Sequence, residues 1–200
     1  MLTGLRPETF ENLQLNAGVF LKNFNHSDIA DVDALETAVL AALEAGTDIL
    51  GATIGGGTFQ ATPETRSIEV DGMRYQFKGS TIVDSWNIRL TGTMKEITPE
   101  NFKDALISAD ITNNGAKKVV RVRTDIEDGD YIPTLCWVGD TSKGAVLIEL
   151  SNALNTTGAN FTFTDKGEGT LPFEFVAHQA SLKDSQFAPF QIVFFGEPET

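Results

Sequence analysis

The segment "TIVDSWNIRLTGTMKEITPENFKDAL", residues 81–106, decides the fold class. Apolar and polar side chains alternate through its first half, interrupted only by Val83, and the pattern changes to helix signals at Thr98 and Pro99. Alternation with period two indicates a half-buried β-strand. Typical strands have about 5–6 residues, so a strand this long needs a structural reason. The pattern predicts a core-facing side made of Trp86, Ile88, Leu90 and Met94.

The composition is that of a single globular domain. Hydrophobic residues make up 41% of the 200 positions, and a chain of this length buries about 70% of its extended surface without needing disulfides. The one cysteine, Cys136, lies in the apolar run "TLCWVG", which predicts a reduced, buried thiol. The opening "MLTGLRPETF" has no apolar signal region, and no window is apolar enough for a membrane span, so we expect a cytoplasmic protein without a membrane anchor.

The charge is strongly acidic, with a net charge of −13. The excess of acidic groups lies toward the two ends of the chain, and the middle third is balanced. Binding to phosphate backbones needs clustered Lys and Arg. The one basic cluster, "KKVVRVR" at 117–123, places Arg121 and Arg123 on one face of a predicted strand, which favours a solvated or interface face over a nucleic-acid site.

The remaining elements are predominantly strands. Helical spacing of apolar residues predicts a helix at about 31–46, starting at Asp31 or Asp33 and ending at Gly46. Thr98 and Pro99 predict the start of a second helix. The segment at about 60–80 is rich in turn residues, and Asp71-Gly72 predicts a hairpin between "SIEV" and "RYQFKG". Further strands are predicted at 12–24, 117–124, 133–139, 144–151, 171–181 and 190–195.

These elements predict a mainly β fold with one or two helices, a β-sandwich or half-barrel of two packed sheets with a flanking α-helix. There is no internal repeat and no linker, so residues 1–200 are expected to form one domain.

Motifs for catalysis or metal binding are weak. "IGGGT" lacks the Gly-Lys-Ser/Thr sequence of a phosphate loop, and "DIEDGD" at 125–130 lacks the spacing of a calcium loop, so both are predicted to be turns. His26 and His178 are isolated, and we expect His178 to be structural. We therefore expect no enzyme activity, no catalytic residues, no metal and no cofactor.

Four segments, in order along the chain, carry a family resemblance: "LQLNAGVFLKNF", "GATIGGGTFQATPETRSIEVDG", "KGSTIVDSWNIRLTGTMKEITPENFKDAL" and "GTLPFEFVAHQ". Together they resemble the tail tube (major tail) proteins of long-tailed, non-contractile bacteriophages and prophages. The resemblance covers most of the chain, with the helix at 31–46 as an elaboration. It implies two packed sheets with a helix at the side, and it implies no catalytic residues.

The resemblance also implies function and partners. Six subunits would form a ring, and stacked rings would form the hollow tail tube that delivers the genome. The expected partners are further copies of the chain, the tape measure protein, the tail terminator and the baseplate or distal tail proteins, with double-stranded DNA passing through unbound. The location would be the virion tail, assembled in the host bacterial cytoplasm.

A shared barrel gives the long strand a reason. Four strands from each of six subunits make about 24, which at about 4.8 Å spacing and about 45° tilt give a backbone diameter of roughly 50 Å. Inward side chains narrow this to about 40 Å, wide enough for a hydrated duplex. The net charge favours an acidic lumen in which DNA slides.

The segment at 60–80 is expected to be a protruding loop or hairpin that contacts the adjacent ring, as the family does, while a hairpin folded onto its own domain remains an alternative. The candidate contact residues are Thr62, Glu64, Arg66, Ile68, Val70, Met73, Tyr75 and Phe77.

Three other functions stay open. One is the inner tube of a contractile tail or a tail-derived bacteriocin, built on the same fold. Another is a β-sandwich carbohydrate-binding module, which requires exposed aromatic side chains. The last is a carboxylate-based glycoside hydrolase.

Overall fold

The fold is known from a computed structural model, which describes residues 13–14, 16–163, 165–181 and 187–196. Within those ranges there are nine strands and two α-helices. The helices are α1 (Val32–Ala45) and α2 (Pro99–Ala105). The strands are β1 (Val19–Lys22), β2 (Thr53–Ser67), β3 (Thr81–Met94), β4 (Ala109–Asn114), β5 (Lys117–Val122), β6 (Ile132–Thr141), β7 (Gly144–Asn155), β8 (Leu171–Val176) and β9 (Phe190–Gly196).

Two antiparallel sheets pack together and share strand β7. The first sheet has the order β1-β6-β7-β9, and the second continues from the end of β7 through β8 and β3 to β2. Residues 144–150 of β7 pair with β9, whereas Leu154 and Asn155 pair with β8. Asn152, between the two parts, has a positive φ of 46°, a left-handed conformation that Asn tolerates where a strand bends. The predicted fold class, a β-sandwich with a flanking helix, is confirmed.

The first sheet is buried on both faces because its strands alternate between two cores. On β6, Leu135 faces the core between the sheets, and its neighbour Cys136 faces the core beneath α1. On β1, Phe20 faces the core between the sheets, and Leu21 faces the core beneath α1. The molecule is therefore layered as α1, first sheet, second sheet, and the outer face of the second sheet is left to solvent.

Helix α1 matches its prediction. Asp31 caps it by accepting a hydrogen bond from the Ala34 amide, and Gly46 ends it in the left-handed region, with φ 64°. Leu35 is buried against the first sheet. No basic residue stands between Lys22 and Arg66, so the helix side of the molecule is acidic; its carboxylates are Asp28, Asp31, Asp33, Glu36, Glu44 and Asp48.

A pair of glycines lets two aromatic rings into the core between the sheets. Gly57 on β2 lies directly opposite Gly92 on β3. A Cβ on Gly92 would stand 2.5 Å from the ring of Phe173, and one on Gly57 would stand 2.9 Å from the ring of Phe20. These two rings meet edge to face, with their centroids 5.2 Å apart. Glycine at both positions therefore makes room for this contact.

The long strand is confirmed as β3, but the chain before it differs from the prediction. Residues 62–67 continue β2, so β2 is itself 15 residues long. The predicted hairpin between "SIEV" and "RYQFKG" is wrong, because residues 68–80 form the loop that connects β2 to β3. The two long strands take the hydrogen bonds that a separate hairpin would need, and Ser67 pairs with Thr81.

The other predictions differ mainly at strand ends. Helix α2 begins at Pro99 with the predicted Thr98 cap. Strand β8 ends at Val176 instead of continuing to 181. The predicted strand 12–24 lies partly outside the described residues, and its described part is mainly β1. Strand β4 was missed, and a turn at residues 115–116 joins it to β5.

Candidate assembly surface

The outer half of the β2–β3 hairpin extends beyond the sandwich. Strand β8 pairs with β3 only from Arg89 to Met94. The part of β3 before Arg89 pairs with β2 alone, down to Ser67 and Thr81. We call residues 62–87 the arm; it consists of this two-stranded ribbon and the loop 68–80 at its tip. A ribbon of two strands is marginally stable in water by itself, so the arm depends on the sheet at its base.

The side of the arm that continues the core face is apolar and uncovered. Pro63 is opposite Trp86, and Thr65 is opposite Val83. Trp86 is 48% exposed and Val83 is 47% exposed. The prediction that Trp86 faces the core is therefore wrong, although Ile88, Leu90 and Met94 are at most 2% exposed, as predicted. Alternation assigned Trp86 to the correct side of the strand, but the opposing first sheet does not extend far enough to cover that position.

The opposite side of the arm is polar. Arg66 Nε lies 2.8 Å from Asp84 Oδ1, and Ser85 Oγ donates to Glu64 Oε2 at 2.8 Å. The strand register shifts between Glu64 and Thr65, where β3 has one extra residue, as in a β-bulge. Exposed pairs of this kind contribute roughly 0–1 kcal/mol each. These pairs therefore affect the charge of this surface more than they affect the stability of the arm.

The tip loop exposes apolar side chains that the subunit does not cover. Val70, Tyr75 and Phe77 are 66%, 79% and 64% exposed, and Ile68 is 43% exposed. Backbone hydrogen bonds across the loop, such as Ile68 N to Ser80 O at 2.7 Å, give it a defined turn.

The eight predicted contact residues fall in two parts of the arm. Thr62, Glu64 and Arg66 lie on the β2 side of the ribbon; Ile68, Val70, Met73, Tyr75 and Phe77 lie in the loop, where Met73 is the least exposed of the five.

Comparison with known proteins adds no family to this geometry. A scan against protein-family models finds no match, and a search of curated proteins finds none.

The outer face of the second sheet carries side chains that are polar and almost uncharged. Its hydroxyl and amide residues are Thr58, Gln60, Thr62, Asn87, Thr91 and Thr93. Outside the arm, the charged residues of this face are Arg89 and Glu174, joined by a bond of 2.9 Å from Nη1 to Oε1. Thr58, Thr91 and Glu174 also line a shallow cavity of about 570 Å³ next to the glycine bulge of β2. Among the described residues of this face outside the arm, there is no cluster of basic side chains of the kind that holds a phosphate backbone.

The histidines and acidic turns form structural contacts. His26 Nε2 lies 2.6 Å from Glu149 Oε2 and ties the chain before α1 to the first sheet. His178 Nδ1 lies 3.0 Å from the Val176 carbonyl oxygen and packs edge to face on Tyr131. Within the described ranges, no three His, Cys, Asp or Glu side chains are grouped to hold a metal.

Arg123 binds the carboxylates of the acidic turn at 125–130. Its guanidinium contacts the carboxylates of Asp110, Glu127 and Asp130. Asp130 also accepts from the Glu127 amide, which closes the turn. Arg121 is exposed, so the two arginines of the basic cluster have different surroundings.

Cys136 is fully buried, and this burial raises the pKa of its thiol. It therefore stays protonated and unreactive in the folded protein. Neither of the described helices has the length and apolar character needed to cross a bilayer.

Sequence reasoning missed one surface. Strand β9 exposes Ile192 and Phe194, which are 43% and 77% accessible. The available signal was the absence of charge: residues 187–196 contain no ionisable side chain, and neither do residues 49–63, which include most of β2.

Proposed function

We propose that this protein is the subunit of a bacteriophage tail tube, a virion structural protein that assembles as stacked, hexameric rings into the conduit for genome delivery. The observation that carries the proposal is the arm. It extends beyond the sandwich with an apolar side, and its tip exposes apolar side chains that no other described part of the subunit covers. Exposed apolar side chains grouped in this way commonly mark an interaction site.

Two further features support the proposal. The ordered motifs of the long hairpin and of β8 resemble the tail tube family, whose members contact the next ring through the loop that follows β2. The polar, nearly neutral outer face of the second sheet is suited to line a passage for DNA, because its basic group outside the arm, Arg89, is paired with Glu174. The tape measure, terminator and distal tail proteins are the partners that this role implies.

Replacing residues 68–80 with a short Gly-Ser turn tests the role of the arm. The ends of the replaced loop, Ser67 and Thr81, are already paired, so the sandwich is expected to fold with a cooperative thermal transition. The variant is expected to remain a monomer or a single ring in negative-stain micrographs, whereas the unmodified protein is expected to form long tubes.

Phe163→Ser is the matched control, because Phe163 is 78% exposed and lies outside the arm. Tubes should form normally in this variant. Long tubes from the variant without the loop would show that the arm does not stack rings. Loss of the thermal transition would support the alternative of a hairpin folded onto its own domain.

The exposure of Trp86 favours a second candidate, the carbohydrate-binding module. An exposed indole beside Pro63 and Val83 is the type of surface on which a sugar ring stacks. Trp86→Ala separates the two functions: it weakens binding on a glycan array if the protein is a lectin-like module, and it weakens tube formation if the proposal is correct. The inner tube of a contractile tail would behave in these tests as a non-contractile one does.

A further inference from the structure

Two strands of the sandwich have a side on which no other strand lies within the described residues. Strand β2 is the last strand of the second sheet, and β9 is the last strand of the first. Strand β1, at the far side of the first sheet, is different, because Leu50 N donates to Phe20 O and Lys22 N donates to Asp48 O. The backbone of residues 48–50 therefore covers β1, and it leaves β2 and β9 as the open edges.

The hydrogen bonds show which amides point outward on β2. Ala177 N donates to Ile88 O at 3.1 Å, so even-numbered residues of β3 face β8 and odd-numbered ones face β2. Given the register Thr91–Thr58 and Arg89–Gln60, the even residues of β2 bond to β3. Phe59 and Ala61 therefore direct their N–H and C=O groups away from the sheet, and Pro63, which has no N–H, occupies the same outward register.

The same reasoning applies to β9. Ser151 N donates to Pro189 O at 2.9 Å, so the odd-numbered residues of β9 bond to β7. Ile192 and Phe194 direct their backbone groups outward. Both edges thus present runs of similar length without a register shift: six residues, 57–62, between the glycine bulge and Pro63 on β2, and seven residues on β9.

Neither edge has the charges that usually keep strand edges apart. Isolated β edges are commonly protected by Lys or other charges. This chain has 43 charged residues and a net charge of −13, so two copies repel each other over most of their surface. The two open edges lie in the charge-free runs 49–63 and 187–196. A second copy of the chain meets no charge at either edge.

We infer that β9 of one subunit pairs with β2 of the next, so that the ring closes through a head-to-tail β contact between copies of this chain. This inference rests on the proposed function, and it assigns the lateral contact, which is separate from the stacking contact of the arm. A head-to-tail contact uses two different edges of each copy, and it closes into a ring when the rotation between copies allows.

Proline at outward-facing positions tests the inference. Ala61→Pro and Ile192→Pro each remove an N–H that faces solvent in the single subunit, so both variants are expected to fold. Each is expected to be monomeric in sedimentation experiments at concentrations where the unmodified protein forms rings. The matched controls Ala61→Ser and Ile192→Thr retain the N–H and are expected to form rings.

Mixing the two proline variants is the decisive measurement. Each retains one intact edge, β9 in Ala61→Pro and β2 in Ile192→Pro, so the mixture is expected to form a 1:1 dimer and nothing larger. A mixture that stays monomeric, or rings from either proline variant alone, would overturn the inference. If Ala61→Pro does not fold, the pair Gln60→Lys and Thr62→Lys blocks the same edge with charges that a paired strand would have to desolvate.

This test measures only the mass of the dimer, so its result does not depend on whether the protein forms tubes or conducts DNA. A protein that forms rings through other edges would fail this test and still agree with the proposed tube. A protein that forms the predicted dimer but never stacks would pass it and contradict the tube.

Discussion

Trp86 and Ile88 are two residues apart on the same side of β3, yet their surroundings differ completely. Ile88 is 2% exposed beneath the first sheet, and Trp86 is 48% exposed on the arm. Sequence alternation predicts the side of a strand on which a residue lies, but it does not predict where the opposing sheet ends. The same limit explains why Ile192 and Phe194 were not predicted as surface residues.

Ile88→Ala and Trp86→Ala are expected to have opposite effects. Ile88→Ala should lower the free energy of unfolding by about 2–5 kcal/mol, because it leaves a cavity in the core. Trp86→Ala should change the stability of the isolated subunit much less, while reducing assembly. Chemical denaturation of both variants, followed by negative-stain counting of tubes, measures the two effects. Equal losses of stability would mean that Trp86 is covered within the subunit.

At the scale of elements, the sequence correctly predicted the features that are determined by neighbouring residues in the chain. Alternation indicated β3, and the Asp31, Gly46 and Thr98 signals placed both helices to within a few residues. The hairpin at 60–80 was mispredicted because Asp71-Gly72 is a strong turn signal at short range. Twelve residues of β2 are paired with β3, which satisfies more backbone groups than a small hairpin does, so the longer pairing prevails. No pattern of neighbouring residues indicates which strand will pair with an edge strand.

Gly92 should tolerate no side chain. In Gly92→Ala the new methyl group meets the ring of Phe173 at 2.5 Å, in a core where β3 pairs on both sides. Overpacking of this kind costs about 1–3 kcal/mol. Gly129→Ala is the matched control, since a Cβ there has no neighbour within 4 Å. Thermal denaturation should show a lower midpoint for Gly92→Ala alone, and a change of similar size in both variants would contradict the close packing.

At the scale of the whole molecule, charge is distributed unevenly. The helix side carries six carboxylates without a basic residue between Lys22 and Arg66. Outside the arm, the described part of the outer face of the second sheet carries one paired charge of each sign. The acidic lumen expected from the net charge stays a prediction, and a lumen lined by hydroxyl groups would serve the same purpose.

Assembled tubes are expected to retain no duplex DNA at about 0.15 M salt, where electrostatic screening acts over about 8 Å. The double variant Thr91→Lys/Thr93→Lys adds two positive charges to each subunit on the outer face of the second sheet and should retain DNA in a salt-sensitive way. Thr112→Lys, on the separate β4–β5 hairpin, should not. Tight, salt-sensitive binding by the unmodified tubes would contradict a passage that releases DNA, and filter binding of labelled duplex measures all three.

The pairing of β1 with β6 has a consequence for how the chain is made. Val19 pairs with Val138, and β7 receives its partner β9 only when the last strand has been synthesised. Contacts between such distant parts of a sequence form slowly, because a long loop must close first. The β2–β3 hairpin, whose strands are neighbours in the chain, is expected to form early on the ribosome and to wait there with its apolar side open. The subunit then completes its sandwich only once β9 has emerged from the ribosome, and chaperones have their opportunity to bind before that point.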